Sequence, residues 1–387
     1  MENYEIICRL GGGSFADVYK AIEKSTGEYV AVKVLKKKYT NWEECLELRE
    51  TKSLKKLQED GKLSKQKGID NIIKLKEMIF IKETGTLNLI FEYMEKDLFE
   101  LMKQRSTTKF TENQIRNILY QVLQGLSFMH KYGFFHRDLK PENLLIIGDT
   151  IKIADFGLAR EIRSIPPYTE YVSTRYYRAP ECILKSSNYN SRIDIWALGC
   201  IMAEMYLHPQ PLFFGNNEKE VLYRICSVLG TPTHAVWPEG MQQAKKYEIK
   251  FPNCPGTSLS QIIPSASKEA IELMYQMISW DPNKRATANN LLNHPFFSNY
   301  SISNRFNTPE ISGIDLSGDK RDINLQSLNI TASLNMILSG SESCSNNNKL
   351  TIKTKEEFPQ QKKEDDINFS KILNDTEGFD NCKFVLI

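Results

Sequence analysis

The sequence predicts an α+β protein in which a small sheet-rich lobe precedes a larger and mainly helical lobe. Residues 4 to about 100 alternate short β-type runs with one helix, and the apolar pattern from about 110 to 297 is mostly helical. A chain of 387 residues with 41% hydrophobic residues is long enough to bury a sizeable core. We therefore expect one domain over residues 4–297, with its lobes at 4–94 and 95–297.

Composition separates residues 298–387 from this domain. They are rich in Asn, Ser, Lys and Asp and poor in aromatic residues, as in SNNNKLTIKTKEEFPQQKKEDD. Such a segment buries too little apolar surface to offset the entropy of ordering, so we expect a largely disordered polar tail. The polar stretch at 55–68 is interpreted as a solvated helix end and loop.

Charge, cysteine content and hydropathy argue against several classes of function. With a formal net charge of +2, the chain lacks the excess of Lys and Arg with which proteins bind nucleic acid or anionic membranes, so neither is expected as a partner. The eight cysteines follow no zinc-binding spacing and are interpreted as reduced thiols of an intracellular protein. No stretch resembles a secretion signal or reaches the roughly 18 apolar residues of a membrane-spanning helix.

The first two strand-like runs, YEIICRL and VYKAIE, flank a glycine-rich segment. Where side chains are absent, the backbone can approach a polyphosphate and offer its N–H groups. Taken alone, the segment is better explained as a glycine-rich hairpin without a ligand. Its candidate phosphate-binding residues are Leu10, Gly11, Gly12, Gly13, Ser14, Phe15, Ala16 and Val18.

The next strand and helix predict a buried ion pair. In YVAVKVL, Ala31 and Lys33 point to the same face of the strand. Residues 40–43 have the spacing of a capping box, and the helix after them carries Trp42, Leu46, Glu50 and Leu54 at steps of four. Because an unpaired buried charge costs about 3–5 kcal/mol, Glu50 on this stripe should pair with Lys33. The alternative is a rotated helix with Glu50 exposed.

The first long helix of the large lobe has clear ends. Thr111 and Gln114 form a capping pair, and Gly133 closes the helix. Its inner face is predicted to consist of Ile115, Ile118, Leu119, Val122 and Leu126. The loop FFHRDLKPENLL follows, and then a strand that runs into the triplet DFG, which begins at Asp155.

This loop and the triplet carry residues suited to phosphoryl transfer. That reaction needs a base for a hydroxyl proton, oxygen ligands for magnesium and cations near the phosphates. Asp138 suits the base, and Asn143 and Asp155 supply the oxygen ligands that magnesium prefers. Either motif alone would occur by chance, whereas H-R-D-x-K-x-x-N followed twelve residues later by D-F-G is highly specific.

The combined motifs resemble those of the eukaryotic protein kinases, and the resemblance covers residues 4–297. It implies a two-lobed protein kinase fold, with ATP and Mg²⁺ as cofactors. The implied catalytic residues are Lys33, Glu50, Asp138 and Lys140. The resemblance also implies a hinge at Glu92 and Met94 that binds adenine, Ala31 beside the nucleotide, and Phe91 as gatekeeper.

Two positions of the kinase motifs carry further information. Lys140, two residues after the catalytic aspartate, resembles the lysine of serine/threonine-specific kinases. Ala16 departs from the family, because it stands where the third glycine of G-x-G-x-x-G is expected. We expect its methyl group to be tolerated at that turn and to leave catalysis intact, with its effect on nucleotide affinity left open.

A Thr-Glu-Tyr triplet lies between DFG and the APE triplet at 179–181. Phosphorylation adds about −1.5 to −2 charges per site, which guanidinium groups meet with paired hydrogen bonds. By resemblance, Thr169 and Tyr171 are regulatory phosphosites. The implied partners are Arg49, Arg137 and Arg160 for the phosphothreonine, and Arg175 and Arg178 for the phosphotyrosine. The alternative is that all five are ordinary surface arginines.

Two other contacts of the large lobe are expected to be structural. Glu181 and Arg285 resemble the ion pair that lies under the activation segment of kinases. Asp194 begins the apolar helix SRIDIWALGCIMAEMYL. The resemblance to kinases implies that it braces the catalytic loop, its spacing from Ser191 predicts a capping box, and the two roles are compatible.

Further sequence features indicate a particular group within the protein kinases. YRAPE, the stretch at 230–232 and the insert FPNCPGTSLSQIIP resemble the CMGC group of kinases. Within it, YTEYVSTRYYRAPE and PLFFGNNE are most similar to the MAK/ICK/MOK (RCK) branch, with MOK nearest. The branch implies phosphorylation of Ser or Thr before proline and an association with the nucleus or cilium. We also expect an upstream activating kinase, and a monomer that is located in the cytoplasm. The alternatives are a mitogen-activated or cyclin-dependent kinase proper, and a pseudokinase scaffold lacking a catalytic residue.

Overall fold

The computed structural model describes residues 1–64, 68–105, 108–161, 175–186 and 189–298. Within these ranges the chain forms a sheet-rich small lobe and a helical large lobe, which confirms the predicted α+β architecture. The predicted phosphosites Thr169 and Tyr171 lie outside the described residues, as does the predicted tail after residue 298.

The small lobe is built on one antiparallel sheet. Its strands are β1 Tyr4–Gly12, β2 Ala16–Glu23, β3 Tyr29–Lys38, β4 Leu75–Ile81 and β5 Thr86–Glu92, in the order β1-β2-β3-β5-β4. Alternation along β3 gives the sheet two faces. Val30 and Val32 pack with Tyr4 in a small cluster on the outer face, whereas Ala31 and Leu35 belong to the main core on the inner face.

The helical region between β3 and β4 differs from the prediction of one helix with residues 42, 46, 50 and 54 on one stripe. The chain instead forms α1 Trp42–Leu46 and α2 Arg49–Ser64. In α1, Cys45 is fully buried and Trp42 is 38% exposed, so α1 buries a different face from the predicted stripe. A break between the two helices is therefore needed to turn Glu50 inward.

The cap of α1 also lies one residue later than predicted. Asn41 is the N-cap, and its side-chain oxygen accepts a hydrogen bond from the Glu44 backbone N–H. The side chain of Glu44 in turn accepts from the backbone and hydroxyl of Thr40. Asn41 takes this position because its extended backbone aims a short polar side chain at the first turn.

The large lobe is organised around two buried helices. Its helices are α3 Leu98–Gln104, α4 Glu112–Lys131, α5 Pro180–Ile183, α6 Arg192–Leu207, α7 Glu218–Leu229, α8 Pro238–Lys246, α9 Leu259–Ile262, α10 Lys268–Met277 and α11 Ala288–Leu291. The predicted Thr111–Gln114 capping box is confirmed in α4, whose predicted inner face is fully buried. In α6, every residue from 193 to 206 is buried, so this helix forms the centre of the lobe.

Short strands place the catalytic segments against these helices. They are β6 Lys96–Asp97, β7 Phe134–Phe135, β8 Leu144–Ile147, β9 Thr150–Ile153 and β10 Arg160–Glu161. Strands β6, β8 and β9 form one small sheet, and β7 pairs with β10. Among the described residues, no helix is both long and apolar enough to cross a membrane.

Candidate active site

The predicted pair of Lys33 and Glu50 is confirmed. The Lys33 ammonium on β3 lies 2.8 and 2.9 Å from the two carboxylate oxygens of Glu50, which is 8% exposed. The same ammonium lies 3.3 Å from Oδ1 of Asp155. One cation thus joins the sheet, helix α2 and the DFG triplet.

Charge interactions within this cluster favour the ionised forms of Lys33 and Asp155, whereas burial raises the pKa of Glu50 above its ordinary value. Burial lowers the pKa of Lys33, but Glu50 and Asp155 outweigh burial and hold that pKa above its ordinary value. Partial burial raises the pKa of Asp155, yet Lys33 and His136 outweigh it, so the pKa lies below its usual range. A lysine cation and an aspartate anion are therefore both available to a ligand in the cleft.

The catalytic loop holds the three predicted residues close together. Oδ2 of Asp138 accepts hydrogen bonds from the Lys140 ammonium at 3.0 Å and from the Asn143 amide at 3.3 Å. The same amide donates to the Asp138 carbonyl at 2.8 Å. The Asn143 carbonyl in turn accepts from Ala154 N, 2.9 Å away, which joins the loop to the residue before Asp155. These contacts fix the direction of the Asp138 carboxylate.

Asp194 braces this loop from below, as one of the two predictions for this residue has it. Its carboxylate accepts from the backbone N–H groups of His136 and Arg137 at 2.8 and 2.9 Å. The side-chain capping contact of Ser191 is absent, because Ser191 has helical backbone angles, and the Asp194 N–H donates to the Ser191 carbonyl instead. The capping box predicted at this helix is therefore wrong, and Asp194 instead serves the loop.

Arg137 needs this brace because its backbone is in the left-handed region, with φ +74°. Its guanidinium group donates to the Tyr189 hydroxyl at 2.6 Å and to the Leu158 carbonyl at 3.4 Å. The ring of His136 lies 2.9 Å from the Ala154 carbonyl through Nε2. The conformation just before Asp138 thus depends on contacts with three distant segments.

The structure places Val18, Ala31 and Lys33 on the inner face of the small lobe, whereas Glu92 lies opposite Val30 of the outer cluster. Val18 lies opposite Lys33 in the register of β2 and β3, and Ala31 lies opposite Phe91 in β3 and β5. Phe91 and Met94 are 7% exposed. Within the described chain, the Met94 backbone N–H has no acceptor, so it remains available to an adenine ring.

The glycine-rich loop joins β1 and β2, as predicted. Leu10, Gly11 and Gly12 end β1, and Ala16 and Val18 begin β2, so residues 13–15 form the tip. Phe15 is 86% exposed, whereas Ala16 is buried opposite Leu35. The methyl group of Ala16 is thus tolerated because it packs in the core.

The predicted phosphate-binding arginines fall into two groups. Arg160 in β10 lies opposite Phe135 in β7, and Phe135 is two residues before Arg137. Arg49 is exposed at the first position of α2. Arg175 donates to the Asn216 carbonyl at 3.1 Å, and Arg178 pairs with Glu218. Both members of the second group thus meet the segment that begins α7. Their phosphate-binding role stays a prediction.

The predicted Glu181–Arg285 pair is confirmed and fully buried. Two guanidinium nitrogens of Arg285 contact the two carboxylate oxygens of Glu181 at 2.6 and 2.7 Å. Arg285 also donates to the carbonyls of Ser279 and Trp280 at 2.8 and 3.2 Å. Because Arg285 is 1% exposed, this network anchors α5 to the segment after α10.

The donor set of the cleft fits a hard divalent cation such as Mg²⁺. Asp155 offers a carboxylate that is 46% exposed, and Asn143 offers a side-chain oxygen. The Asn143 amide nitrogen is already bound to the loop, and within the described residues its oxygen accepts no hydrogen bond. Oxygen ligands of this kind suit Mg²⁺, which completes its shell with water or phosphate oxygens.

Some residues that hold the catalytic loop in place were not predicted from the sequence. Tyr189, which holds Arg137, lies 52 positions away and is part of no motif, so no sequence signal pointed to it. His130 contacts the Asp194 carboxylate at 2.8 Å, again without a local signal. His136 belongs to the HRD triplet, but the motif did not reveal its contact with Ala154.

The fold and this cleft together define a protein kinase. The chain matches the family described as "Protein kinase domain" over residues 4–297, and it therefore belongs to that family.

Comparison with individual proteins shows to which protein kinases the chain is similar. It is 52% identical over 298 residues to the serine/threonine-protein kinase MAK of Homo sapiens, and equally to the serine/threonine-protein kinase ICK of Mus musculus. It is 50% identical to cyclin-dependent kinase F-3 of Oryza sativa subsp. japonica. Each match covers 77% of this chain, and 46%, 45% and 66% of the respective relatives. The chain thus spans about half the length of MAK and ICK. The similarities agree with the predicted branch, while the position nearest MOK stays a prediction.

Proposed function

We propose that this chain is a serine/threonine protein kinase that transfers the γ-phosphoryl group of ATP to protein substrates, with Mg²⁺ as cofactor. The observation that carries the proposal is the convergence of two charge clusters in one cleft. Lys33 is paired with Glu50 and reaches Asp155, while Asp138 is held by Lys140. The similarity to the serine/threonine-protein kinases MAK and ICK supports the serine/threonine specificity.

Each residue has a task in the proposed reaction. The Asp138 carboxylate accepts the proton of the substrate hydroxyl as its oxygen bonds to the γ-phosphorus, and the bond from that phosphorus to the leaving oxygen of ADP breaks. Lys140 offsets negative charge on the transferred group. Lys33, oriented by Glu50, binds the α- and β-phosphates. Mg²⁺ held by Asn143 and Asp155 would supply further positive charge beside the phosphates.

We further propose substrates in which proline follows the phosphorylated Ser or Thr. Support comes from the resemblance of YTEYVSTRYYRAPE and PLFFGNNE to the MAK/ICK/MOK branch. An upstream kinase would activate the protein by phosphorylating Thr169 and Tyr171. A phosphate on Tyr171 would meet Arg175 and Arg178, and it would compete with Glu218 for Arg178. The protein is proposed to act as a monomer in the cytoplasm, and also in the nucleus or cilium.

Phosphate transfer to an arrayed Ser/Thr peptide library tests the central proposal. Asp138→Asn keeps the size of the base but removes proton acceptance, and we expect its turnover to fall by about 10²–10⁴-fold. Asp70→Asn is the matched control, because Asp70 is exposed and lies outside the cleft. Label confined to Ser/Thr-Pro peptides would support the substrate class.

The alternative hypotheses predict different outcomes of the phosphate-transfer assay. No transfer from protein phosphorylated on Thr169 and Tyr171 would favour a pseudokinase scaffold. Activity that requires a stoichiometric cyclin would favour a cyclin-dependent kinase. Transfer that persists in Thr169→Ala and Tyr171→Phe would contradict activation through this triplet.

A further inference from the structure

Lys36 contacts the tip of the glycine-rich loop and takes no part in the proposed phosphoryl transfer. Its ammonium group donates to the Gly13 carbonyl at 2.7 Å. Neighbouring residues of a strand point to opposite faces. Leu35 packs in the main core on the inner face with Lys33, whereas Val34 packs in the outer cluster. Asp17, whose Oδ1 lies 3.7 Å from the Lys36 ammonium, lies opposite Val34 in the β2–β3 register. Lys36 therefore reaches the loop from the face opposite the cleft.

This contact orients the peptide group between Gly13 and Ser14. A peptide group is planar and trans, so its carbonyl and its N–H point in opposite directions. With the Gly13 carbonyl directed to Lys36 on the outer face, the Ser14 N–H is directed to the inner face. The Gly13 N–H is used by the Ala16 carbonyl at 2.9 Å, whereas the Ser14 N–H has no acceptor among the described residues.

The side chain of Asp17 faces Lys36, and Arg9 in turn binds Asp17. Oδ1 of Asp17 lies 3.7 Å from the Lys36 ammonium and accepts from the Arg9 guanidinium at 2.6 Å. A Cβ atom on Gly12 would overlap both Asp17 and Arg9. Glycine at position 12 thus makes room for the ion pair on the outer face, in addition to any contact with a ligand on the inner face.

We propose that Lys36 is a positioning residue that turns the Ser14 N–H toward the phosphates of bound ATP. The inference rests on the proposed kinase function, in which ATP is the phosphate donor. Nucleotide should bind without reorientation of the loop tip. The resulting gain in affinity should depend on the phosphates of the nucleotide rather than on its adenosine. A single hydrogen bond of this kind changes a binding constant by roughly two- to tenfold.

Lys36→Met tests the inference, because it retains the length of the side chain and removes the donor. We expect the KM for ATP to rise about two- to tenfold with a smaller change in kcat, and the calorimetric affinity for adenosine to stay unchanged. Lys36→Arg should restore the KM. Lys38→Met is the matched control, because Lys38 on the same strand donates to Thr86 at 2.8 Å, away from the loop.

A direct readout is the amide resonance of Ser14 in a ¹⁵N-labelled protein titrated with ADP and with a non-hydrolysable ATP analogue. We expect a phosphate-dependent shift in the wild type and a smaller shift in Lys36→Met. Equal KM values for Lys36→Met and Lys38→Met, or an equal loss of adenosine affinity, would overturn the inference. If the wild type transfers no phosphate, the proposed function fails, and the nucleotide affinities and the Ser14 resonance still decide the role of Lys36.

Discussion

Replacing Asp194 by Asn distinguishes between two roles of this residue, which are support of the catalytic loop and capping of helix α6 together with Ser191. The carboxylate accepts hydrogen bonds from two backbone N–H groups, those of His136 and Arg137. Asparagine keeps the shape but offers one oxygen. Whichever way its amide is turned, the NH₂ group faces a backbone donor, which is then left without an acceptor in a site that is 1% exposed.

The expected cost follows from these contacts. A hydrogen bond to a charged group contributes about 1.5–3 kcal/mol, and a buried N–H without a partner costs about 1–3 kcal/mol. We therefore expect Asp194→Asn to lower the free energy of unfolding by about 3 kcal/mol. Arg137 has φ +74°, a conformation that costs about 1–3 kcal/mol, so the weakened loop should also relax. Because Asp138 follows directly, turnover should fall by about tenfold or more.

Urea unfolding with linear extrapolation measures the first quantity, and steady-state phosphate transfer measures the second. Ser191→Ala is the control. A capping box at Ser191 would make this change cost about 1 kcal/mol, whereas the structure, without that cap, predicts a change within about 0.5 kcal/mol. If Asp194→Asn lowers the free energy of unfolding by less than about 1 kcal/mol, or if both variants lower it equally, Asp194 does not brace the loop.

Three further predictions follow from buried charges. Lys33→Met should reduce phosphate transfer at least about 100-fold with unchanged circular dichroism, because the cation on the phosphates is lost; an active variant would contradict its role. Arg285→Met leaves the Glu181 carboxylate buried without its cation and should cost about 3–5 kcal/mol in urea unfolding, so a loss below about 1 kcal/mol would exclude a stabilising pair. Burial raises the pKa of Glu204 to about 7, although the hydrogen bond from Tyr177 opposes this. Because the folded pKa lies above the unfolded one, the free energy of unfolding should fall as pH rises from about 4.5 to 7, and Glu204→Gln should flatten this slope; identical pH profiles would disprove the assignment.

Sequence patterns predicted the parts of the site that depend on short-range spacing. The strand alternation at Lys33 and the burial expected for Glu50 were sufficient to predict their pairing. The capping box of α4 was predicted because Thr111 and Gln114 are three residues apart, within one helical turn. The catalytic loop motif likewise brought Asp138 and Asn143 together, since five positions on a loop leave few alternatives.

Patterns of the same kind failed where two local explanations competed. The stripe from Trp42 to Leu54 predicted one helix, whereas the chain forms two helices, buries Cys45 and caps the first helix at Asn41. Ser191 and Asp194 have capping-box spacing, yet Asp194 accepts from a loop that lies 57 and 58 positions earlier. A charged group in the core binds the strongest donors within reach, and spacing along the chain does not reveal which donors those are.

By itself, the sequence determined the α+β architecture, the kinase motifs and the residue types of the cleft, because each depends on periodicity or on neighbours within a few positions. The tertiary structure decided which other side chains orient the residues of the cleft. Lys36 reaches Gly13 across 23 positions, and Arg178 meets Glu218 across 40. Such contacts depend on strand register and helix packing, which bring together residues that share no local pattern.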